Sequence, residues 1–141
     1  MAESTGKSVQ CVIVTPERAV LDEPVDFVVL PMYDGELGVL PGRAPLIGRL
    51  GFGELRTRRA TNTRRFYIDG GFAEVRANVV TVLTPRALRA EEINTAAAAE
   101  ALERAKGLAT TPEEQTALLN AQQRARAQLA VARHSREETR H

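Results

Sequence analysis

The chain has 141 residues, 43% of them hydrophobic and 26% charged, which suits one soluble domain or one domain with an appendage. A net charge of +1 gives little reason to expect binding to nucleic acid or any other polyanion. With 4% aromatic residues and no Trp, the core has to come from Val, Leu, Ile and Ala, with Phe27, Phe52, Phe66 and Phe72 as its largest pieces.

Residues 1–7 lack the basic-then-apolar pattern of a signal peptide, and nowhere do about 18 uncharged apolar residues run together. The chain is therefore expected to be soluble, held by protein partners if it works at a membrane. From residue 9 to about 84, short β-branched runs alternate with turn residues, the pattern of an all-β sandwich or barrel. Strands are expected at 9–14, 19–21 and 25–30, the last two on either side of Asp22-Glu23-Pro24. Cys11, inside the first run, reads as a small buried hydrophobe; a lone Cys forms no internal disulfide.

Residues 34–46 hold three glycines and two prolines between apolar runs, so they form a stiff, turned loop or very short strands. Such a span either joins sheet strands by tight turns or presents a contact surface. Glu36 and Arg43 would project, while Leu37, Val39 and Leu40 tuck under the domain. Strands are expected again at 46–50, 54–59, 64–68, 72–76 and 79–83, with turns at Gly51-Phe52-Gly53, Thr61-Asn62-Thr63, Asp69-Gly70-Gly71 and Ala77-Asn78. The sheet domain ends near Pro85, dividing the chain into 1–85 and 86–141.

Beyond Pro85 the period changes from two to 3.6. Residues 91–106 are Ala-rich, with Ile93, Ala97, Ala101, Ala105 and Leu108 spaced for one helical face, and Gly107 ends the helix. Thr111-Pro112-Glu113-Glu114 then supplies an N-cap, a proline at the first helical position and a capping-box Glu. The second helix carries the stripe Leu118, Ala121, Ala125, Leu129 and Ala132, and the two helices form an antiparallel hairpin. An alanine seam packs closely but coheres weakly, because each buried methyl is worth only about 0.8 kcal/mol. The end of the longer helix, with Arg133, His134, Arg136, Glu137, Glu138 and Arg140, frays or finds a partner elsewhere; a detachable arm is expected.

No phosphate loop, zinc spacing or nucleophile elbow occurs, and the only histidines, His134 and His141, fall in the tail, so catalysis is not expected. Asp69-Gly70-Gly71 reads as a hairpin turn in preference to a phosphate cradle. Arg56, Arg58, Arg59, Arg64 and Arg65 read as a solvated strand edge in preference to a polyanion site. The helical arginines are either scattered surface charge or a docking face for an acidic partner. A free-standing nucleotide or nucleic-acid binding module using the Arg-bounded edge is the alternative to a subunit of a larger assembly.

The span Gly35-Glu36-Leu37-Gly38 followed by Pro41-Gly42-Arg43-Ala44-Pro45-Leu46 resembles the signature loop of the epsilon subunit of the F-type ATP synthase. Val14-x-Pro16-Glu17-x-x-Val20, Ile68-x-Gly70-Gly71-Phe72-Ala73-Glu74-Val75 and Val79-Val80-Thr81-Val82-Leu83 extend the resemblance over most of the chain. It implies a ten-stranded β-sandwich followed by a two-helix hairpin, in a rotor-stalk subunit on the cytoplasmic face of the bacterial inner membrane. Its partners would be the gamma subunit, the c-ring, and the beta and alpha subunits of the catalytic head. Asp34, Glu36, Gly42 and Arg43 would occupy the c-ring-facing loop, and Arg124, Arg126, Arg133 and Arg136 would meet an acidic segment of beta as the arm inhibits ATP hydrolysis. Some relatives bind ATP in the folded arm through Ile or Leu, Asp, two variable residues, Arg and Ala. Here Ile93, Asn94 and Ala97 stand at the Ile, Asp and Arg positions, and losing the charged phosphate donor implies weak or no ATP sensing. No cofactor is expected.

Overall fold

The computed structural model describes residues 8–139. The targeting pattern sought in residues 1–7, and the tail residues Arg140 and His141, lie outside the described residues. The strands are β1 (Val9–Val14), β2 (Ala19–Val25), β3 (Phe27–Met32), β4 (Gly35–Val39), β5 (Leu46–Arg59), β6 (Asn62–Arg76), β7 (Val79–Leu83) and β8 (Ala87–Arg89). They form one hydrogen-bonded order, β2-β1-β7-β6-β5-β3-β4, with β8 added on β6 beyond Pro85. Pairing is antiparallel except between β1 and β7. Strands β1 and β3, far apart in that order, touch across the core, so the sheet folds over into two layers.

The ten strands expected are eight among the described residues. The runs at 46–50 and 54–59 are one strand, as are those at 64–68 and 72–76, because the Gly-rich sites between them are not turns. They are bends at which β5 and β6 cross together from one layer to the other, still paired as Leu50 with Gly71 and Phe52 with Asp69. Gly71 has φ +105° there, and a Cβ on it would lie 2.1 Å from the Leu83 carbonyl oxygen.

Alternation decides what is inside. Val9, Cys11 and Ile13 point into the core with Val28, Leu30, Val39, Leu55, Phe66, Ile68, Val75, Val80 and Val82. Cys11 is fully buried, which pushes its thiol up to about 12, chiefly by desolvation, as fits the small-hydrophobe reading. Phe66 joins this core, but Phe72 does not: it shares the outward parity of Glu74 and Arg76. Leu40 is likewise outside and exposed, since β4 ends at Val39 and the chain turns there.

A helical hairpin follows. Ala90–Glu92 form a single 3-10 turn, α1 spans Thr95–Arg104, and α2 spans Pro112–Thr139. Asn94 caps α1, its side chain accepting from the Ala97 amide at 3.0 Å. The face counted from Ile93 holds at Ile93 and Ala105, which are buried, and fails at Ala97 and Leu108, because the helix begins only after that cap and ends before Leu108. Ala98 and Ala105 are buried, Ala97 is exposed, and Leu108 stands wholly in solvent in the connecting loop. Thr111 accepts from the Glu114 amide at 3.1 Å, and Glu114 reaches back to the Thr110 amide at 2.8 Å, one residue before the expected return. That amide, then the Thr110 hydroxyl, hold the Glu114 carboxyl below the usual carboxylate range.

Candidate functional site

Three surfaces carry the chemistry that the sequence singled out. The first is the outer face of the β5–β6 ribbon, where α2 lies. Strand parity turns Phe52, Glu54 and Arg56 of β5, and Arg65, Tyr67 and Asp69 of β6, toward the helix, while Leu55, Phe66 and Ile68 face the core. Tyr67 is completely buried beneath the arm, packed with Ala90, Ile93, Val131 and Ala132. Its hydroxyl donates to Asp69 Oδ1 at 2.6 Å. Desolvation, then that carboxylate, raise the phenol well above its ordinary value. Asp69 Oδ1 also accepts from Arg124 Nε at 3.0 Å, and the Arg124 guanidinium stacks 4.6 Å from the Phe52 ring.

Further along α2 more polar contacts follow. His134 Nδ1 lies 2.7 Å from Glu54 Oε1, Arg65 pairs with Glu54 Oε2, and Arg65 Nη2 pairs with Glu138 Oε2 at 2.9 Å. Desolvation works against the Arg65 charge, but its bonds to Glu138 and Glu54 prevail and hold its pKa above the ordinary arginine value. The end of α2 is therefore docked on the sandwich, so His134 belongs to no free tail. The arginines read as a solvated edge are in part structural as well. Arg56 pairs with Glu36 at 3.1 Å and Arg64 with Glu23 at 3.2 Å.

All four arm arginines are exposed, and Arg124 is also paired with Asp69. Arg126 borders an open groove of about 1610 Å³ between α2 and the ribbon, with Glu36, Arg56 and Glu54 on its far wall. At the degenerate nucleotide motif, Ile93 is buried under α2, Asn94 is occupied as a helix cap, and Ala97 offers no polar group.

The second surface is the Gly/Pro span. It divides into the edge strand β4 and a tight turn, closed by the Arg43 amide donating to the Leu40 carbonyl at 3.2 Å with Gly42 at φ +86°. The Gly42 amide donates to Asn78 Oδ1 at 2.8 Å, fastening this turn to the β6–β7 hairpin. Gly42 and Arg43 thus sit at one end of β4, while Asp34 lies in the turn at the other, about 15 Å away for five strand residues. Glu36, in between, faces Arg56. The four loop candidates do not form one cluster.

The third surface went unseen in the sequence. Ile47, Phe72 and Leu83 are 76%, 58% and 54% exposed on the outer face of β5, β6 and β7, with Phe72 directly opposite Leu83. Large apolar side chains grouped on one sheet face mark a contact surface. The sequence signal was parity: Phe72 shares the outward face of Glu74 and Arg76.

The fold is thus a β-sandwich with a helical arm docked on one face and an apolar patch exposed on another, and among the described residues no group of three or more His, Cys, Asp or Glu could hold a metal ion. No helix of the described chain is long and apolar enough to cross a membrane. The family described as "ATP synthase, Delta/Epsilon chain, beta-sandwich domain" matches residues 8–90. The ATP synthase epsilon chain of Rhodopirellula baltica is 47% identical over 127 residues, covering 89% of this chain and 99% of that one. That of Syntrophobacter fumaroxidans is 46% identical over 130 residues, covering 90% and 97%. Among solved structures, a chain of the Euglena gracilis mitochondrial ATP synthase, OSCP/F1/c-ring in rotational state 1, superimposes with a TM-score of 0.69 at 26% identity, covering 96% of this chain and 82% of that one. A chain of the Tetrahymena thermophila mitochondrial ATP synthase central stalk/c-ring shares the fold, with a TM-score of 0.68 at 16% identity over 88% of this chain and 96% of that one. The chain belongs to the ATP synthase epsilon-chain family.

Proposed function

We propose that the chain is a non-catalytic central-stalk subunit of the F-type proton-translocating ATP synthase, peripheral on the cytoplasmic face of a bacterial inner membrane. In this reading the apolar face around Ile47, Phe72 and Leu83 is the anchor for the gamma subunit, and the span carrying Asp34, Glu36, Gly42 and Arg43 faces the c-ring. A turn tied down by Pro41, Gly42 and Asn78 yields little under load, and charged ends set its register on polar partner loops. The helical arm restrains ATP hydrolysis by leaving the sandwich and presenting Arg124, Arg126, Arg133 and Arg136 to an acidic segment of the beta subunit, beside alpha. ATP sensing through Ile93, Asn94 and Ala97 is weak or absent.

The observation that carries the regulatory part is the nature of the arm's dock. A helix of 28 residues is held on the sandwich by a small apolar contact at Val131 and Ala132, by the ion pairs Arg124–Asp69 and Arg65–Glu138, and by the polar contact of His134 with Glu54. Such a contact is readily exchanged for another of similar energy. The test is ATP hydrolysis by the matching alpha-beta-gamma head, with the chain added as it is or with Arg126→Glu and Arg133→Glu together. Both versions are expected to bind gamma, and only the unaltered chain to slow hydrolysis. Equal inhibition by both would remove these arginines from the brake, and no binding to gamma would remove the stalk assignment.

A further inference from the structure

The ionic and hydrogen-bonding side chains between the edge strand and the arm form one continuous series of contacts. Glu36 Oε2 of β4 lies 3.1 Å from Arg56 Nη1. The same Arg56 nitrogen lies 3.9 Å from Glu54 Oε2, which already carries Arg65. From there the series enters α2 twice, through Arg65 to Glu138 and through Glu54 Oε1 to His134. Its three ends, Glu36 on β4 and His134 and Glu138 on α2, are open to solvent and its middle, Glu54 with Arg65, is largely enclosed, so charges there are screened least.

We propose that Glu36 and the C-terminal end of α2 are coupled through this series, so that a basic partner side chain that engages Glu36 loosens the arm. Arg56 is shared between two carboxylates. While Glu36 holds it, Glu54 is left to Arg65 and His134. When Glu36 is taken by another cation, the Arg56 guanidinium turns fully onto Glu54 and competes there with His134 and Arg65, whose grip fixes the last turns of α2. Groups with a shared partner have non-additive energies, and a coupling of this kind is reciprocal: releasing the arm makes Glu36 a better anion for its partner. The inference rests on the loop reading above only for the identity of that partner, a basic group on the c-ring loops; the coupling belongs to the chain alone.

The experiment is native-state hydrogen exchange on the full chain, comparing the amides of residues 133–138 in the unaltered protein, Glu36→Gln, Arg56→Gln and the double variant. Glu36→Gln is expected to speed exchange there by about two- to threefold, the scale of a partly exposed ion pair, and to add nothing once Arg56 is gone. Glu36→Lys, also at an exposed position that threatens no core contact, should act in the same direction. An α2 that exchanges unchanged while only β4 speeds up would overturn the proposal. So would an equal increase with and without Arg56. Binding to an isolated c-ring separates the two readings: if Glu36→Gln moves the arm but not ring binding, the coupling stands and the loop assignment falls.

Discussion

Replacing Val131 with Ala should undock the arm while leaving the sandwich folded. Val131 is completely buried against Tyr67, Ala90 and Ile93, and its neighbour Ala132 is nearly so. The substitution removes two methyl groups, worth about 0.8 kcal/mol each, or about 1.6 kcal/mol. A partly unrelaxed cavity raises the loss toward about 2.5 kcal/mol. At 1.4 kcal/mol per decade, the docking equilibrium moves by about 15- to 60-fold. The assay is hydrogen exchange read separately on α2 and on β1 and β7. The helix should lose protection by that factor, while the strands, whose core of Val9, Ile13, Val80 and Val82 lies away from the contact, should keep theirs. If the strands lose as much protection as the helix, arm and sandwich are one cooperative unit, and the reasoning that makes the arm detachable is wrong.

Two further substitutions test the physics of the fold. Gly71→Ala forces a Cβ to within 2.1 Å of the Leu83 carbonyl at φ +105°, so β6 and β7 must part, at about 3–5 kcal/mol in urea unfolding. Gly70→Ala, at φ +77° and 3.6 Å from Phe52 Cε1, should lose only about 1–2 kcal/mol, and equal losses would refute the crowding argument. Stability should also fall at alkaline pH. The unfolded thiol of Cys11 ionises from its ordinary value of 9.0, whereas the folded one keeps its proton to about 12, so the unfolded state binds fewer protons across that window. The slope from this group is a loss on the order of 1 kcal/mol per pH unit, and Tyr67 adds to it with the same sign. Denaturant melts between pH 8 and 11 should show a shallower fall for Cys11→Ala; an unchanged slope would count against the buried-thiol account.

What was legible in the sequence was whatever a local pattern determines. The β-branched runs at 9–14 and 79–83 alternate cleanly and are strands β1 and β7, and Thr111-Pro112-Glu113-Glu114 starts α2 because capping is a matter of four consecutive residues. The crossings at Gly51-Phe52-Gly53 and Asp69-Gly70-Gly71 were not legible, since glycine relieves crowding at a bend and supplies a positive φ in a hairpin with the same three letters. β8 is three residues long, too short to show a period, and is held as a strand by its pairing with Phe66–Ile68. The dock of the arm depends on partners far apart in the chain. Glu54 and His134 are 80 positions apart and Asp69 and Arg124 are 55, and nothing local joins them. The candidate loop residues were visible as an unusual Gly/Pro span, but their separation along β4 follows from pairing with β3, which composition does not encode.

The two long strands have a mechanical consequence. Most sandwiches join their layers only through loops, which give way when one layer slides over the other. Here the β5–β6 ribbon runs unbroken through both layers, and β5 begins at Leu46, three residues after Arg43. The Gly42 turn is therefore followed within a few residues by a paired ribbon that carries Ile47 and Arg49 in one layer and Glu54 and Arg56 in the other, a stiffer connection between layers than a loop.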